Sequence, residues 1–377
     1  MHDPKDHGHQ HGPNCNHDHD HDHDHDHGHD HDHGHDHGHG HDHANPLLIE
    51  VTRGPEVESR HRAAFAVVDA EGGVVAAAGD LNAPVYPRSA IKPLQALPFV
   101  ESGAADAFGC SPAELSLACA SHDGEPAHVA AVEDWLARLG LTVADLECGT
   151  HLPYHEESMK ALLRSGGEPT AAHNNCSGKH TNFLTLAKHL KAPTKGYVNL
   201  GHPVQQRILG VLEAMTGLDL GQAPVGIDGC GIPTIGIPLG NLALGMARLA
   251  DPSGQPEERQ AAAKRIRQGV AAHPFMIAGS KRFCTKVMEE TREKALIKTG
   301  AEGVYCAALP ELGLGIALKV DDGAGRAAEV LMGRILVAFK ILDEAQVEKL
   351  KPWLMPTLRN RAGLAVGEIR AAGTAAY

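Results

Sequence analysis

A serine and a lysine stand three residues apart in the stretch "PRSAIKPLQ", residues 87–95. If this stretch is helical, Ser89 and Lys92 share one face of a single turn. A serine hydroxyl needs a base within hydrogen-bond reach to act as a nucleophile near neutral pH. A lysine can be that base when burial or a nearby cation lowers its pKa. Alone, the pattern is weak, because Ser-x-x-Lys also occurs in ordinary solvated turns.

Two later stretches strengthen this interpretation. "ASHDG" places Ser121 before a histidine and an aspartate at the end of an apolar helical run, and "LIKTGAEG" places Lys298 in a Lys-Thr-Gly triplet before an apolar β-run. Ser-x-x-Lys, a serine-led polar triplet and Lys-Thr-Gly, in that order, form the motif set of serine β-lactamases and penicillin-binding proteins. The middle element departs from that set, being Ser-His-Asp instead of Ser-Asp-Asn. Such a site performs acyl transfer on an amide.

A second group of polar residues could bind a metal. "HNNCSGKHTNF" contains Cys176, Lys179 and His180, and "GIDGCGIP" contains Asp228 and Cys230. Both cysteines lie in Gly- and Asn-rich stretches, whereas structural cysteines usually lie in apolar runs. Two such cysteines with polar neighbours could form a zinc site. The close Cys-x-x-Cys spacing is absent, so two core thiols that never meet are the alternative.

The N-terminal segment differs from the rest of the chain. Residues 1–44 are almost entirely His, Asp and Gly, with eleven Asp against one Lys, so they carry most of the net charge of −13. We expect a disordered tail that binds transition-metal ions through imidazole and carboxylate groups. The alternative is a charged extension that only keeps the protein soluble. Residues 45–377 form the predicted catalytic domain.

The composition of the remaining chain excludes several classes of protein. Its charge is nearly balanced and shows no basic patch with interleaved aromatics, so we expect no nucleic-acid partner. No apolar run is long enough for a membrane span, and no secretory signal is evident. We therefore expect no membrane partner and a cytoplasmic location. The eight cysteines are scattered, which is typical of reduced thiols and not of a disulfide framework.

The elements that must position these motifs follow from hydrophobic periodicity. An initial run, a hairpin over residues 62–80 and two strands in residues 303–323 lie towards the two ends of the chain. Helical patterns fill the middle. They cover residues 89–102, 111–121 with Ser111 and Glu114 as a capping box, 128–141, 156–164, 178–190, 203–216 and 256–272, and another helix follows the last two strands. The predicted fold class is therefore α/β (α+β), an antiparallel sheet with flanking helices and a helical region.

Five motifs together resemble one family. "YPRSAIKPLQALP", "ASHDGEPAHV", "HNNCSGKHTNFL", "GIDGCGIPT" and "KTGAEGVYCAAL" are similar to the rhizobial-type L-asparaginase II family, in that family's order. The resemblance covers the chain from about residue 46 to its end, and the tail lies outside it. It implies a serine β-lactamase/glutaminase-like fold, a homodimer, and hydrolysis of L-asparagine to L-aspartate and ammonia.

The resemblance also implies roles for individual residues. Ser89 with Lys92, and Ser121 with Lys298, match the family's two Ser-Lys pairs. Either serine could be the nucleophile, and we expect Lys92 to be the base, kept neutral by a cationic Lys298. The family's metal, usually zinc, is held by two cysteines and a lysine, which correspond to Cys176, Lys179 and Cys230. Candidate substrate-binding residues are Arg88 for the α-carboxylate, His180, and Asp228, which could hold the α-ammonium or orient a metal ligand.

Three rival classes remain open from the sequence. A zinc-dependent amidohydrolase would have its chemistry at the two cysteines. A penicillin-recognising peptidase would normally be exported. A non-catalytic metal-binding or storage protein is suggested by the tail alone. The preference between asparagine and glutamine cannot be read from the residues.

Overall fold

The computed structural model describes residues 44–373. The predicted metal-binding tail, residues 1–44, lies outside this range apart from Ala44, and so does Cys15. Within residues 44–373, no helix is both long and apolar enough to cross a membrane.

The described residues form a mixed α and β structure. The strands are β1 (Leu47–Arg53), β2 (Glu56–Asp69), β3 (Val74–Ala78), β4 (Pro84–Val85), β5 (Val225–Ile227), β6 (Pro233–Ile235), β7 (Ile237–Pro238), β8 (Leu296–Thr299), β9 (Val304–Leu309), β10 (Leu314–Val320), β11 (Thr357–Arg359) and β12 (Ala365–Ala371). The α-helices are α1 (Lys92–Gln95), α2 (Leu97–Glu101), α3 (Ala104–Ala107), α4 (Pro112–Ala118), α5 (Pro126–Arg138), α6 (Glu156–Arg164), α7 (Ser177–His189), α8 (Pro203–Thr216), α9 (Leu239–Ala250), α10 (Glu257–Ala272), α11 (Pro274–Ala278), α12 (Phe283–Thr291), α13 (Gly325–Ala338) and α14 (Glu344–Leu354). Short 3₁₀ helices cover Arg88–Ile91, Val143–Asp145, Ala171–His173 and Arg292–Lys294.

One antiparallel sheet joins the two ends of the described chain. Its order is β11-β12-β1-β2-β10-β9-β8, and β3 pairs with the second half of β2. β1 therefore lies between β2 and the C-terminal β12. The predicted antiparallel sheet closed by both termini is confirmed. The sequence interpretation did not include β11 and β12, which have little buried surface.

Helices cover the centre of the sheet. β10 and the second half of β2 are almost continuously buried, which requires cover on both faces. Helices α9 and α13 both pack against this sheet. The contact of α9 is so close that a Cβ on Gly315 would stand 2.1 Å from the backbone nitrogen of Ala247. The sheet ends at β8, which carries Lys298.

The predicted helices are present, with one informative difference. Ser111 and Glu114 form the expected capping box at the start of α4, and α6 and α8 have the predicted bounds. The segment expected to be one helix over residues 89–102 is a 3₁₀ helix followed by two short helices. Pro93 and Pro98 each stand in the first turn of one of those helices. A proline inside a longer helix would remove a backbone donor and clash with the preceding turn, so the helix restarts at each one.

Candidate active site

Ser89 and Ser121 line one cavity of about 310 Å³. The lining is mostly polar. It includes Arg88, Ser89, Ser121, His151, Tyr154, Asn174, Asn175, Cys176, Asp228, Gly229, Cys230, Arg282, Thr299, Gly300 and Ala301. A cavity of this volume suits a small, polar molecule.

Ser121 lies between the two lysines that the sequence analysis singled out. Its Oγ is 2.9 Å from Nζ of Lys92 and 2.8 Å from Nζ of Lys298. The Lys92 amine also donates to the carbonyl of Ala120, and the Lys298 amine donates to the carbonyl of Thr299 at 2.8 Å. Both lysine side chains are fully or almost fully buried. Helix α1 and strand β8 thus bring two amines to one hydroxyl.

Burial disfavours the charged form of both amines. It lowers the pKa of Lys298 to about 7, with a further lowering by the nearby charge of Lys92. Burial also lowers the pKa of Lys92, the Cys176 thiolate opposes that effect, and the charge of Lys179 adds to it. The expected neutral Lys92 beside a cationic Lys298 stays a prediction, and the pKa of about 7 makes Lys298 a second candidate for the base.

Ser89 lies on the cavity wall, in the first turn after the strained residue Arg88. Arg88 has a φ of +50°, in the left-handed region that costs a non-glycine residue energy. No side-chain hydrogen bond joins Ser89 to Lys92 among residues 44–373, because the Lys92 amine is turned towards Ser121. A Cβ on Gly300 would stand 2.7 Å from the carbonyl oxygen of Pro87. Glycine at this position therefore lets the end of β8 pass directly beside the turn that carries Ser89.

A short strap, residues 277–280, fixes the loop that carries Ser121. The N–H of Ser121 donates to the carbonyl of Ile277 at 2.9 Å, and the N–H of Asp123 donates to that of Ala278 at 2.8 Å. The N–H of Ser280 donates to Oε1 of Glu125 at 2.7 Å. These bonds set the position of the serine relative to α11 and α12.

The three residues of the Ser-His-Asp triplet have different surroundings. Ser121 borders the cavity, whereas His122 is completely buried and stacks on His128. His122 Nδ1 accepts from the N–H of Gly124 at 3.1 Å, so its Nε2 carries the proton towards Ser177 Oγ at 2.8 Å. Burial holds the pKa of His122 well below its ordinary value. His122 is therefore a neutral core residue.

The two cysteines and Lys179 are brought together beside the serines. Lys179 Nζ is 3.0 Å from Cys230 Sγ, Cys230 donates a hydrogen bond to Cys176, and Cys176 Sγ is 3.2 Å from Lys92 Nζ. All three are buried, and both cysteines are free thiols. The hydrogen bond from Cys230 lowers the pKa of Cys176 well below its ordinary value. Burial lowers the pKa of Lys179, but the charges of Cys230, Cys176 and Asp228 outweigh that effect and raise it.

This donor set suits a soft metal ion. Cysteine thiolates favour zinc over magnesium or calcium, and a neutral amine is an acceptable third donor. Within residues 44–373, no cluster of three or more His, Cys, Asp or Glu side chains could hold a metal ion. A site here therefore needs Lys179 as a ligand in addition to Cys176 and Cys230.

Arg88 and Asp228 are bonded to each other in the cavity wall. Arg88 Nε donates to Asp228 Oδ1 at 2.7 Å, and the N–H of Gly229 donates to the same oxygen at 2.7 Å. Burial raises the pKa of Asp228, but Lys179 and Arg88 together lower it below its ordinary value. The carboxylate is therefore charged and already shares its Oδ1.

His180 does not line the cavity. It is completely buried on α7, with Nδ1 2.8 Å from the hydroxyl of Tyr197. The hydroxyl of Tyr197 also accepts from the N–H of Glu147 at 2.8 Å. The role of His180 in substrate binding stays a prediction, and its position on α7 turns the ring towards Tyr197.

Sequence reasoning missed part of the cavity wall. His151, Tyr154, Asn174, Asn175, Thr299 and Arg282 were not predicted as site residues. Thr299 follows Lys298 inside the Lys-Thr-Gly triplet, and the two asparagines precede Cys176, so their neighbours gave a signal. Arg282 gave no such signal, because it lies near none of the motifs recognised in the sequence.

The comparison with protein families decides the family. The model of the L-asparaginase II family matches residues 49–371. The chain belongs to the L-asparaginase II family. Members of this family are amidohydrolases, so the class of enzyme follows and the suspected resemblance is confirmed. No curated protein sequence matches this asparaginase II family chain.

Solved structures show distant similarities. A β-lactamase from Mycobacterium bovis is 18% identical, with a TM-score of 0.36, and the match covers 74% of this chain and 95% of that one. A mutant of simvastatin synthase from Aspergillus terreus is 11% identical, with a TM-score of 0.35, covering 69% of this chain and 84% of that one.

Proposed function

We propose that this protein is an L-asparaginase that hydrolyses L-asparagine to L-aspartate and ammonia through a serine acyl-enzyme. The observation that carries the proposal is the position of Ser121 Oγ, with the Lys298 and Lys92 amines at 2.8 and 2.9 Å. A hydroxyl between two buried amines can give its proton to one while the other donates to the oxygen. Membership of the L-asparaginase II family supports an amide as the bond that is cleaved.

The proposed reaction has two halves. Ser121 Oγ attacks the side-chain amide carbon while its proton passes to neutral Lys298. The same proton then goes to the leaving nitrogen, and ammonia departs from the acyl-enzyme. Water attacks the ester carbon in the second half, again losing its proton to Lys298, and aspartate leaves as Ser121 recovers its proton. Backbone N–H groups along the wall near Ser89 and Ala301 are our candidates for holding the oxyanion.

Ser89 is not the nucleophile in this proposal. It borders the same cavity, and its position in the Ser-x-x-Lys motif makes it the alternative nucleophile. Rapid acid quenching during asparagine turnover, followed by peptide mass spectrometry, distinguishes the two. An aspartyl group on the peptide containing Ser121 supports the proposal, whereas the same group on the peptide containing Ser89 reassigns the nucleophile.

Cys176, Lys179 and Cys230 are the proposed zinc ligands. When bound, zinc would supply a positive charge beside the cavity that orients the substrate. Lys179 must lose its proton to become a ligand, and both thiols must be deprotonated. The Ser-Lys groups already provide a nucleophile, so we propose that chemistry does not start at the cysteines.

Ammonia release from L-asparagine and L-glutamine tests the activity. The assay uses the full-length protein and a variant lacking residues 1–43. Hydrolysis of asparagine by both forms is expected. Metal uptake without ammonia release from either amide would favour the storage protein, and complete loss of turnover after chelation would favour a zinc-dependent amidohydrolase. The cytoplasmic location and the homodimer stay predictions.

A further inference from the structure

Arg282 has no role in the reaction proposed above. Arg282 lines the cavity, and its Nη1 donates to Asp123 Oδ1 at 2.5 Å. The arginine side chain is 30% exposed and that of its partner is 8% exposed. Within residues 44–373, neither Nε nor Nη2 of Arg282 has a hydrogen-bond partner. A guanidinium with unused donors therefore stands at the wall of a small polar cavity.

The two arginines of the cavity differ in which donors are free. Nε–H and one Nη2–H of a guanidinium point the same way and match the two oxygens of a carboxylate. In Arg88 this edge is occupied, because Nε donates to Asp228. In Arg282 the aspartate takes only Nη1, so the edge stays available. Arg282 is thus more suited than Arg88 to bind a carboxylate through two parallel hydrogen bonds.

Arg282 is tied to the loop of the candidate nucleophile. Its partner Asp123 is two residues beyond Ser121, and both backbone N–H groups are bonded to the strap that precedes Arg282. Ser121 and Arg282 line the same cavity of about 310 Å³, so the amide at Ser121 and the carboxylate at Arg282 can belong to one small molecule.

We propose that Arg282 binds the α-carboxylate of the substrate, with Asp123 orienting the guanidinium, and so selects α-amino-acid amides over amides without that carboxylate. This inference rests on the proposed hydrolysis of asparagine at Ser121. It replaces Arg88 as the expected carboxylate ligand. Arg88 then keeps Asp228 in place for the α-ammonium.

The test compares L-asparagine with 3-aminopropanamide, which keeps the amide and the amine but lacks the α-carboxylate. In Arg282→Gln, kcat/KM for asparagine should fall by about tenfold to a hundredfold, mainly through KM, because a charged bidentate contact is lost. The value for 3-aminopropanamide should stay within about twofold. Arg282→Lys should recover only part of the loss, and Asp123→Asn should raise KM less than Arg282→Gln does.

Arg265 provides a matched control outside the cavity. Its Nη1 makes a single contact with Asp106 Oδ1 at 2.7 Å, so Arg265→Gln removes a comparable ion pair and should leave both substrates unaffected. Thermal unfolding of every variant reports whether the fold is intact. Equal losses on both substrates in Arg282→Gln would show that it only positions the Ser121 loop. Selective loss in Arg88→Gln instead would return the role to Arg88.

Calorimetric binding of L-aspartate and of 3-aminopropanoate separates this inference from the activity. The first ligand has the α-carboxylate and the second lacks it. Loss of L-aspartate binding in Arg282→Gln, with 3-aminopropanoate unaffected, supports the carboxylate contact whether or not asparagine is turned over. Unchanged L-aspartate binding overturns it. Absence of ammonia release from asparagine by the unaltered protein would instead contradict the proposed function.

Discussion

At the scale of single residues, the proposed chemistry depends on the protonation of Lys298. Its amine is buried beside Ser121 and beside a second lysine, and these surroundings lower its pKa to about 7. A base with a pKa near the working pH is partly neutral and still a useful proton acceptor. Lys92 shares the same hydroxyl but also contacts the Cys176 thiol, which favours its charged form.

The first prediction concerns pH. Because the base acts in its neutral form, asparagine turnover should fall as pH drops through about 7 and approach a plateau above pH 8. A kcat profile between pH 5 and 9 measures this. Lys298→Arg keeps a cation that cannot lose its proton and should reduce kcat by at least about a hundredfold. An unchanged profile in that variant would contradict the assignment of Lys298 as base.

The second prediction concerns the first motif. Lys92→Ala should reduce asparagine hydrolysis by at least about a hundredfold, because it removes an amine at the reacting hydroxyl, whereas a loss of that size in Ser89→Ala would make Ser89 the nucleophile in place of Ser121. Steady-state kinetics on variants with unchanged thermal unfolding provide the measurement. Near-full activity in a folded Ser89→Ala sample would remove Ser89 from the chemistry, while the same result for Lys92→Ala would leave Lys298 as the sole essential lysine.

At the scale of elements, the strap of residues 277–280 holds the Ser121 loop. Gly279 has a φ of +133° and a ψ of 173°, a conformation that is essentially restricted to glycine. A Cβ there would stand 2.8 Å from Glu125 Oε1 and 3.2 Å from Asp123 Cβ. Both neighbours belong to the loop that places Ser121 and the Asp123–Arg282 pair. A side chain at position 279 would therefore displace the loop that carries Ser121.

The third prediction follows from that contact. Gly279→Ala should destabilise the fold by about 1–3 kcal/mol and lower kcat by about tenfold to a hundredfold, because the serine moves relative to its lysines. Thermal unfolding and kcat are the measurements. Gly254→Ala is the control, since a Cβ there has no neighbour within 4 Å, and it should change stability by less than about 0.5 kcal/mol. Full activity in Gly279→Ala would show that the strap does not set the position of Ser121.

At the scale of the whole molecule, two sets of metal donors are expected to act independently. Cys176, Lys179 and Cys230 lie inside the described structure, whereas the His- and Asp-rich tail lies outside it. The cysteines offer a soft, fixed site, and the tail offers many imidazoles. Separating the two requires removal of residues 1–43.

The fourth prediction concerns the tail. Deleting residues 1–43 should leave turnover nearly unchanged and remove most bound metal equivalents at neutral pH, because its donors do not belong to the catalytic domain. Imidazoles bind metal only when deprotonated, so the tail should release metal as pH falls through about 6. Elemental analysis of both forms is the measurement. Equal metal content would contradict metal binding by the tail.

The fifth prediction concerns the cysteines. In the shortened protein, Cys176→Ala or Cys230→Ala should abolish stoichiometric zinc and raise KM while leaving a measurable kcat at saturating asparagine. Elemental analysis and steady-state kinetics test both parts. Zinc retained in the double variant would refute the site. A kcat at background level in well-folded single variants would favour chemistry at the metal.

The sequence by itself determined the main elements and the residue types of the site. The capping box at Ser111, the strands of the hairpin and the bounds of α6 and α8 depend on local patterns, so they could be predicted. The serines, lysines and cysteines were recognisable because each stands in a short motif. The prolines of the segment 89–102 account for the breaks in its predicted helix. The hydrophobic periodicity of the segment, taken alone, had indicated one continuous helix.

Only the tertiary structure decided which of these groups meet. Lys92 belongs to the motif of Ser89 but its amine contacts Ser121, and Lys298 reaches the same oxygen from 177 residues further along the chain. The pairing of Arg282 with Asp123 likewise spans 159 residues. Such contacts depend on how the sheet, the strap and α7 pack together, and burial in that packing also sets the pKa of Lys298. Neither the packing nor the burial is encoded in any local spacing.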